Sequence, residues 1–358
     1  MRACLLARAR PDFAVDATSG LLHDPAAATL LPLLDRQYGE SLPGPIREEA
    51  RRYRITLWRQ ARDHLDQAAS IAHAFSSIGI EPVFLKGAAL IAHYYPEPGL
   101  RGAGDVDLLV PRAQVSAAVG ALLELGWSAE DGLSAAEIER LMRARHAWQF
   151  YKATDEGGDL MCDLHWHPVV RCYSPRVAEM FLEGSEPVAA GERQLRIPCA
   201  TDLLFHILVH GLQWTWTSPI RWIPDAWFVI GSGAVDWPRL RRLAVEASMT
   251  FRVQRALDYL RTRFDAPVPA EALESFAQSP DWEAREQKLL EQTFPLGLVN
   301  AARWHGFNFR RLRRFDPAWR DLNPLSGFLS YLSVFLQTKR RRDVPGALWR
   351  RVRPKSAA

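Results

Sequence analysis

The chain has 358 residues and a formal net charge of +4, and close to half of its residues are apolar. That length suits one large or two ordinary domains, and the composition excludes a disordered or collagen-like chain. No uninterrupted run of ~18 apolar residues occurs, so no membrane span is expected.

Residues 1–45 are rich in Ala, Leu and Pro; Ala26 to Tyr38 reads as a short helix, punctuated by Pro43-Gly44-Pro45. Glu48 to Ile78 reads as one long helix. Its apolar residues Leu57, Ala61, Leu65, Ala68, Ile71 and Phe75 recur at three- and four-residue steps, and Gly79 supplies the stop. The first Cys, Cys4, follows an opening too short in apolar residues for a secretory signal. Together with Cys162, Cys172 and Cys199, which show no paired spacing, it points to a reduced cytoplasmic protein with free thiols.

Glu81 to Pro111 is the stretch that carries chemistry. Pro82-Val83-Phe84-Leu85 has the length of a buried strand, Lys86-Gly87 breaks it, and Ala88 to Tyr95 reads as a helix stopped by Pro96 and Pro98. Asp105-Val106-Asp107-Leu108-Leu109-Val110 then reads as a second strand. Residues two apart on a strand share a face, so Asp105 and Asp107 project together while Val106 and Leu108 enter the core. Two such carboxylates repel unless a cation lies between them, and a hard divalent ion such as Mg²⁺ is the usual neutraliser.

Pro111 to Leu125 reads as a helix, and Ser134 to Arg145 as another opened by a Ser134-x-x-Glu137 capping box. Two strands follow, Trp148 to Lys152 and Leu160 to His167, joined by the turn Asp155 to Asp159. On the second, Asp163, His165 and His167 share a face. This is where a third carboxylate belongs, and the same three residues could instead form a transition-metal site. A mainly helical region opens after Arg196-Ile197-Pro198. There His206 and His210 share a helix face as a satisfied interior pair, bridging to Asp225, and Trp214, Trp216, Trp222 and Trp227 cluster. Near the end, Leu325, Phe328, Leu329, Leu332, Phe335 and Leu336 give one apolar helix face, followed by Lys339 to Arg342 and Trp349 to Arg353. That helix is expected to dock on the protein. Its basic end is also the place where an anionic partner would bind. Three parts are expected: an N-terminal helical segment over 1–79, a core over 80–190, and a helical C-terminal region over 191–358.

The run Leu85 to Leu90, Tyr95-Pro96, Arg101 and Asp105 to Val110 resembles the bacterial uncharacterised nucleotidyltransferase family, within the DNA polymerase β-type superfamily. The resemblance continues through Asp163-Leu164-His165-Trp166, His206-x-x-x-His210-Gly211 and Arg221-Trp222-x-x-Asp225, covering about residues 50 to 265. The turn reads Lys86-Gly87-Ala88 where the wider superfamily favours Gly-Ser or Gly-Gly. The resemblance implies an α+β fold, with a small mixed sheet and flanking helices. It also implies a two-metal enzyme that uses Mg²⁺ or Mn²⁺ and a nucleoside triphosphate. By this resemblance Asp105, Asp107 and Asp163 are the catalytic and metal-binding carboxylates, and Lys86, Gly87 and Arg101 serve the nucleotide phosphates. Lys86 could instead be a built-in counter-charge for the aspartates. The acceptor would be a small metabolite or a peptide of a biosynthetic cluster. Two other readings use the same residues: a non-catalytic binding module on this fold, and a glycosyltransferase that holds Mn²⁺ and a sugar diphosphate through Asp-x-Asp.

Overall fold

The computed structural model describes residues 28–154, 157–191, 193–212, 220–277, 279–292, 298–338 and 340–352. Cys4, most of the opening Ala/Leu/Pro-rich stretch, Trp214, Trp216 and Lys339 lie outside the described residues. The long helix runs Gly44–Ser77, four residues earlier at its start than the periodicity suggests. Gly79 closes it at φ 74°, a left-handed conformation that costs glycine least.

Seven strands form one mixed sheet: β1 (Val83–Phe84), β2 (Asp105–Leu109), β3 (Ser128–Ala129), β4 (Ala147–Ala153), β5 (Asp159–His165), β6 (Ser185–Ala190) and β7 (Arg193–Pro198). Their order is β3-β4-β5-β2-β1-β7-β6. β1 is antiparallel to β2 and parallel to β7, and β2 is parallel to β5. The expected division at 190/191 falls in the turn of the β6–β7 hairpin, so the sheet continues to Pro198. β7 pairs directly with β1, which binds this hairpin to the centre of the sheet.

Alternation along the strands sorts the apolar residues into two cores. Val106, Leu108 and Leu164 pack with Ala68, Ile71 and Phe75 of the long helix. Val83, Leu85 and Leu109 pack with Leu204 and Leu208 of the helix Ala200–Gly211. The capping box at Ser134 forms as expected: Ser134 Oγ accepts from Glu137 N, and the Glu137 carboxylate accepts from Ser134 N at 2.9 Å.

The helix Pro324–Phe335 docks, but not through the whole apolar stripe. Tyr331, Leu332 and Leu336 are buried against Phe309 and Trp319, whereas Leu325 and Leu329 face outward. No helix among the described residues is long and apolar enough to cross a membrane.

Candidate active site

The parallel register of β2 and β5 sets Asp107 directly beside Asp163, and Leu109 beside His165. Parallel strands lie under 5 Å apart, so two carboxylates from different strands meet on one face at the middle of the sheet. Asp107 is wholly buried. Its Oδ1 accepts from Lys86 Nζ at 2.5 Å and lies 3.0 Å from His165 Nε2, while its Oδ2 is buried with no hydrogen-bond partner. Asp107, Asp163 and His165 can each turn a ligand atom to within 4.8 Å of the others.

Asp105, two residues back on β2, is partly exposed at the strand's start. It stands outside that tightest group but inside its field. Burial raises its carboxyl above the usual range, and Asp107 raises it further. Asp163 is pushed up to about 6, first by burial, with Asp107 and Asp105 adding and His165 and Lys86 opposing. Asp107 is driven well below the usual carboxylate range: burial raises it, but Lys86 and His165 together win.

His165 is the member that family likeness alone did not single out. The period of two on β5 placed it beside Asp163, and the parallel register then carries it to Asp107. His167 leaves the face. β5 ends at His165, and the backbone N–H groups of Trp166 and His167 both donate to His146 O, which breaks the alternation. His167 Nε2 lies instead 3.5 Å from Arg112 Nη1. The expected Asp163/His165/His167 trio is therefore replaced by Asp107/Asp163/His165.

Lys86 and Gly87 open the short helix Lys86–Ala89, which faces this centre. Lys86 takes a positive φ of 42°, uncommon for a residue with a side chain. A Cβ on Gly87 would lie 2.8 Å from both Ala103 Cβ and Arg101 Nη1, so only glycine lets the Arg101–Ala103 loop approach. Arg101 is held from behind. Its Nη2 and Nε donate to Asp225 at 3.1 and 3.3 Å, and Tyr95 Oη donates to the same carboxylate at 2.7 Å. The expected bridge from His206 and His210 to Asp225 is thus not the arrangement found; Asp225 serves Arg101 and Tyr95, and His206 Nδ1 is buried without a partner. Trp222 is a core residue.

Buried histidines surround the centre and are kept neutral. Burial lowers His64 to about 4, with Arg101 adding. Burial and Arg112 lower His167 to about 3. Burial, then Lys86, hold His206 well below its ordinary value. A histidine with a lowered folded pKa contributes stability that is complete above its unfolded pKa and is lost as pH falls below it. Each loses about 1.4 kcal/mol of that contribution between about pH 7.5 and 5.5, so the three remove about 4 kcal/mol over those two pH units. Asp163 runs the other way, because its raised pKa favours the folded state on protonation, and returns about 1 kcal/mol in that window. From these four groups the metal-free protein is therefore expected to lose about 3 kcal/mol over this range in urea unfolding, to which His146 and His210, lowered in the same way, add. A flat profile would mean that the folded protein accepts those protons.

Adjacent central strands bearing carboxylates on one face, opposed by a glycine turn and a short helix, define a nucleotidyltransferase-like fold. The chain belongs to the family described as uncharacterised nucleotidyltransferase, which matches residues 26–265. The match begins earlier than the resemblance in sequence suggested and ends at the same place. Among solved structures the chain is similar to an antigenic nucleotidyltransferase-like protein from Paracoccidioides brasiliensis, at 16% identity and a TM-score of 0.39, over 60% of this chain and 93% of that one. No curated protein matches.

Proposed function

We propose that this protein is a metal-dependent nucleotidyltransferase that moves a nucleoside monophosphate from a triphosphate to a hydroxyl-bearing acceptor. The observation that carries this reading is the buried, unpartnered Oδ2 of Asp107 beside Asp163. Lys86 meets only Oδ1, and one ammonium does not offset three neighbouring carboxylates, two of them with raised pKa, so Oδ2 is open to a further cation. The donor set suits Mg²⁺ or Mn²⁺, with Asp105, Asp107 and Asp163 as ligands. Bound there, such an ion would neutralise phosphate charge.

The chain's own residues supply the rest. His165 fixes the orientation of the Asp107 carboxylate through Oδ1, leaving Oδ2 for the ion. Asp163 takes the proton of the attacking hydroxyl. Lys86 and the backbone around Gly87 meet the phosphates, and Arg101, held rigid by Asp225 and Tyr95, faces the charge that develops on them. The acceptor is a small metabolite or a peptide.

One observation favours a second reading. Lys86 already balances Asp107, so the fold could serve as a binding module in which lysine replaces the metal. Family membership sets the glycosyltransferase reading aside.

Thermal unfolding separates the first two. With Mg²⁺ and a triphosphate at a hundredfold excess over Kd, the protein should gain about 2.7 kcal/mol. The Asp105→Asn, Asp107→Asn double variant should lose that gain. Mass spectrometry of an extract incubated with protein, triphosphate and Mg²⁺ should show an acceptor heavier by one nucleoside monophosphate. An equal shift without Mg²⁺, and no such product, would favour the binding module.

A further inference from the structure

A second cationic centre lies in the helical half of the chain. Arg171, Arg252 and Arg311 are all buried. Arg311 is saturated: Nε donates to Arg171 O at 2.9 Å, Nη1 to Glu286 Oε2 at 2.6 Å, and Nη2 to Ala247 O at 2.5 Å. Arg252 is not. Its Nε and Nη2 share Gln287 Oε1 at 3.2 and 3.1 Å, and its Nη1 is buried with no partner. Arg171 Nε is buried without a partner as well.

Among the described residues the nearby carboxylates are already committed. Glu286 serves Arg311. Glu283 accepts from Thr250 Oγ1 at 2.7 Å and Phe251 N at 2.8 Å, which closes the start of the helix Thr250–Phe264. Three guanidinium groups against two carboxylates leave positive charge buried, and burying a charge without a partner is costly. Burial, with Arg171 and Arg311 adding, lowers Arg252 to about 9. Burial and Arg311 lower Arg171 to about 10. Both shifts are those of a cation short of counter-charge.

The cluster also has an opening. A cleft of about 10 Å³, lined by Ser248, Arg252, Gln287 and Arg311 and too small for an oxyanion, shares Glu286 and Arg311 with a wider cavity of about 400 Å³. Trp282, Arg285, Arg310 and Arg314 form the rest of that cavity's wall, with the Arg314 guanidinium 4.4 Å from the centre of the Trp282 ring.

We propose that this cavity is a binding site for a phosphate-bearing ligand, whose oxyanion is taken by Arg310 and Arg314 in its wall, drawn there by the uncompensated charge of Arg252 and Arg171 buried behind it. Guanidinium forks match phosphate oxygens in pairs. A cavity of this size holds a small molecule, more than orthophosphate needs, so a phosphate ester is the better fit, with its organic part along Trp282. None of the lining residues belongs to the Asp107 centre.

The test is calorimetric titration of the full chain, in chelator, with orthophosphate and with a nucleoside monophosphate. Four proteins are compared: the parent, the rim pair Arg310→Ala/Arg314→Ala, Arg252→Gln, and Asp105→Asn. The parent should bind, more weakly as salt rises. Affinity should fall at least tenfold in the rim pair and in Arg252→Gln, and should hold in Asp105→Asn. Because Arg310 and Arg314 are exposed, the rim pair keeps the comparison available if Arg252→Gln fails to fold. Tighter binding of the ester than of orthophosphate identifies an ester site, and equal binding identifies a site for the free ion. Three results would overturn the proposal: no binding by the parent, undiminished binding in the rim pair or in folded Arg252→Gln, or loss of binding in Asp105→Asn.

Discussion

Asp107→Ala is expected to cost about 3–5 kcal/mol of folding stability, because it removes the carboxylate paired with the partly buried Lys86 ammonium and leaves only the fields of Asp105 and Asp163 to offset it. Asp107 is fully buried and the Lys86 side chain 19% exposed, so little solvent is at hand to screen the orphaned cation. His165 Nε2 loses its acceptor in the same change. The double variant Lys86→Met/Asp107→Leu should recover most of that loss, since apolar groups of similar size often replace a buried ion pair at little cost. Neither variant should catalyse transfer. Urea unfolding of both, with Lys86→Met and Asp107→Leu to complete the cycle, measures the coupling. A single-variant loss below ~1 kcal/mol would show that water reaches the pair and that Asp107 is kept for chemistry alone.

The strand, turn, helix and strand of Glu81 to Pro111 were legible because each boundary carries its own local signal. Gly87, Pro96 and Pro98 punctuate the run, and the alternation of Asp105-Val106-Asp107-Leu108 fixes which side chains go inward. The capping box at Ser134 and the β4–β5 hairpin are local in the same way. What sequence could not supply was register. Nothing in Asp159 to His165 says that Asp163 lies opposite Asp107 rather than Asp105; that follows from how β2 and β5 slide against each other when Val106, Cys162, Leu108 and Leu164 pack in one core. The support of Arg101 by Asp225 spans 124 residues and has no local signature at all. The division expected near 190 rested on Pro187 and Pro198. Both prolines sit in the β6–β7 hairpin, where Pro187 is on the edge strand that proline tolerates. At the C-terminal helix the period of the apolar residues was right, but its face was not. Tyr331 supplies the buried centre of that contact, which leaves Leu325 outside.

Asp163→Asn is expected to separate chemistry from binding. The side chain lies beside Asp107 on the parallel neighbour strand, and among the described residues it makes no hydrogen bond or ion pair that folding would lose. In the metal-free protein burial lifts its carboxyl to about 6, and a bound cation would lower it, leaving the carboxylate ionised and able to take a proton at neutral pH. Removing a general base typically lowers turnover by about 10²–10⁴-fold. Asn keeps the size and one oxygen, and on the proposed reading Asp105 and Asp107 would still hold an ion for the triphosphate. The expected outcome is therefore a fall in kcat of about 10³-fold with KM for the triphosphate changed by less than about threefold. The folded stability of the metal-free variant should rise at neutral pH, because a partly buried carboxylate that resists ionisation has been replaced by a neutral amide. Single-turnover kinetics and urea unfolding measure the two effects on one preparation. If Asp163→Asn instead loses triphosphate affinity and stability together, Asp163 is a structural partner, and the proton of the attacking hydroxyl must leave by another group.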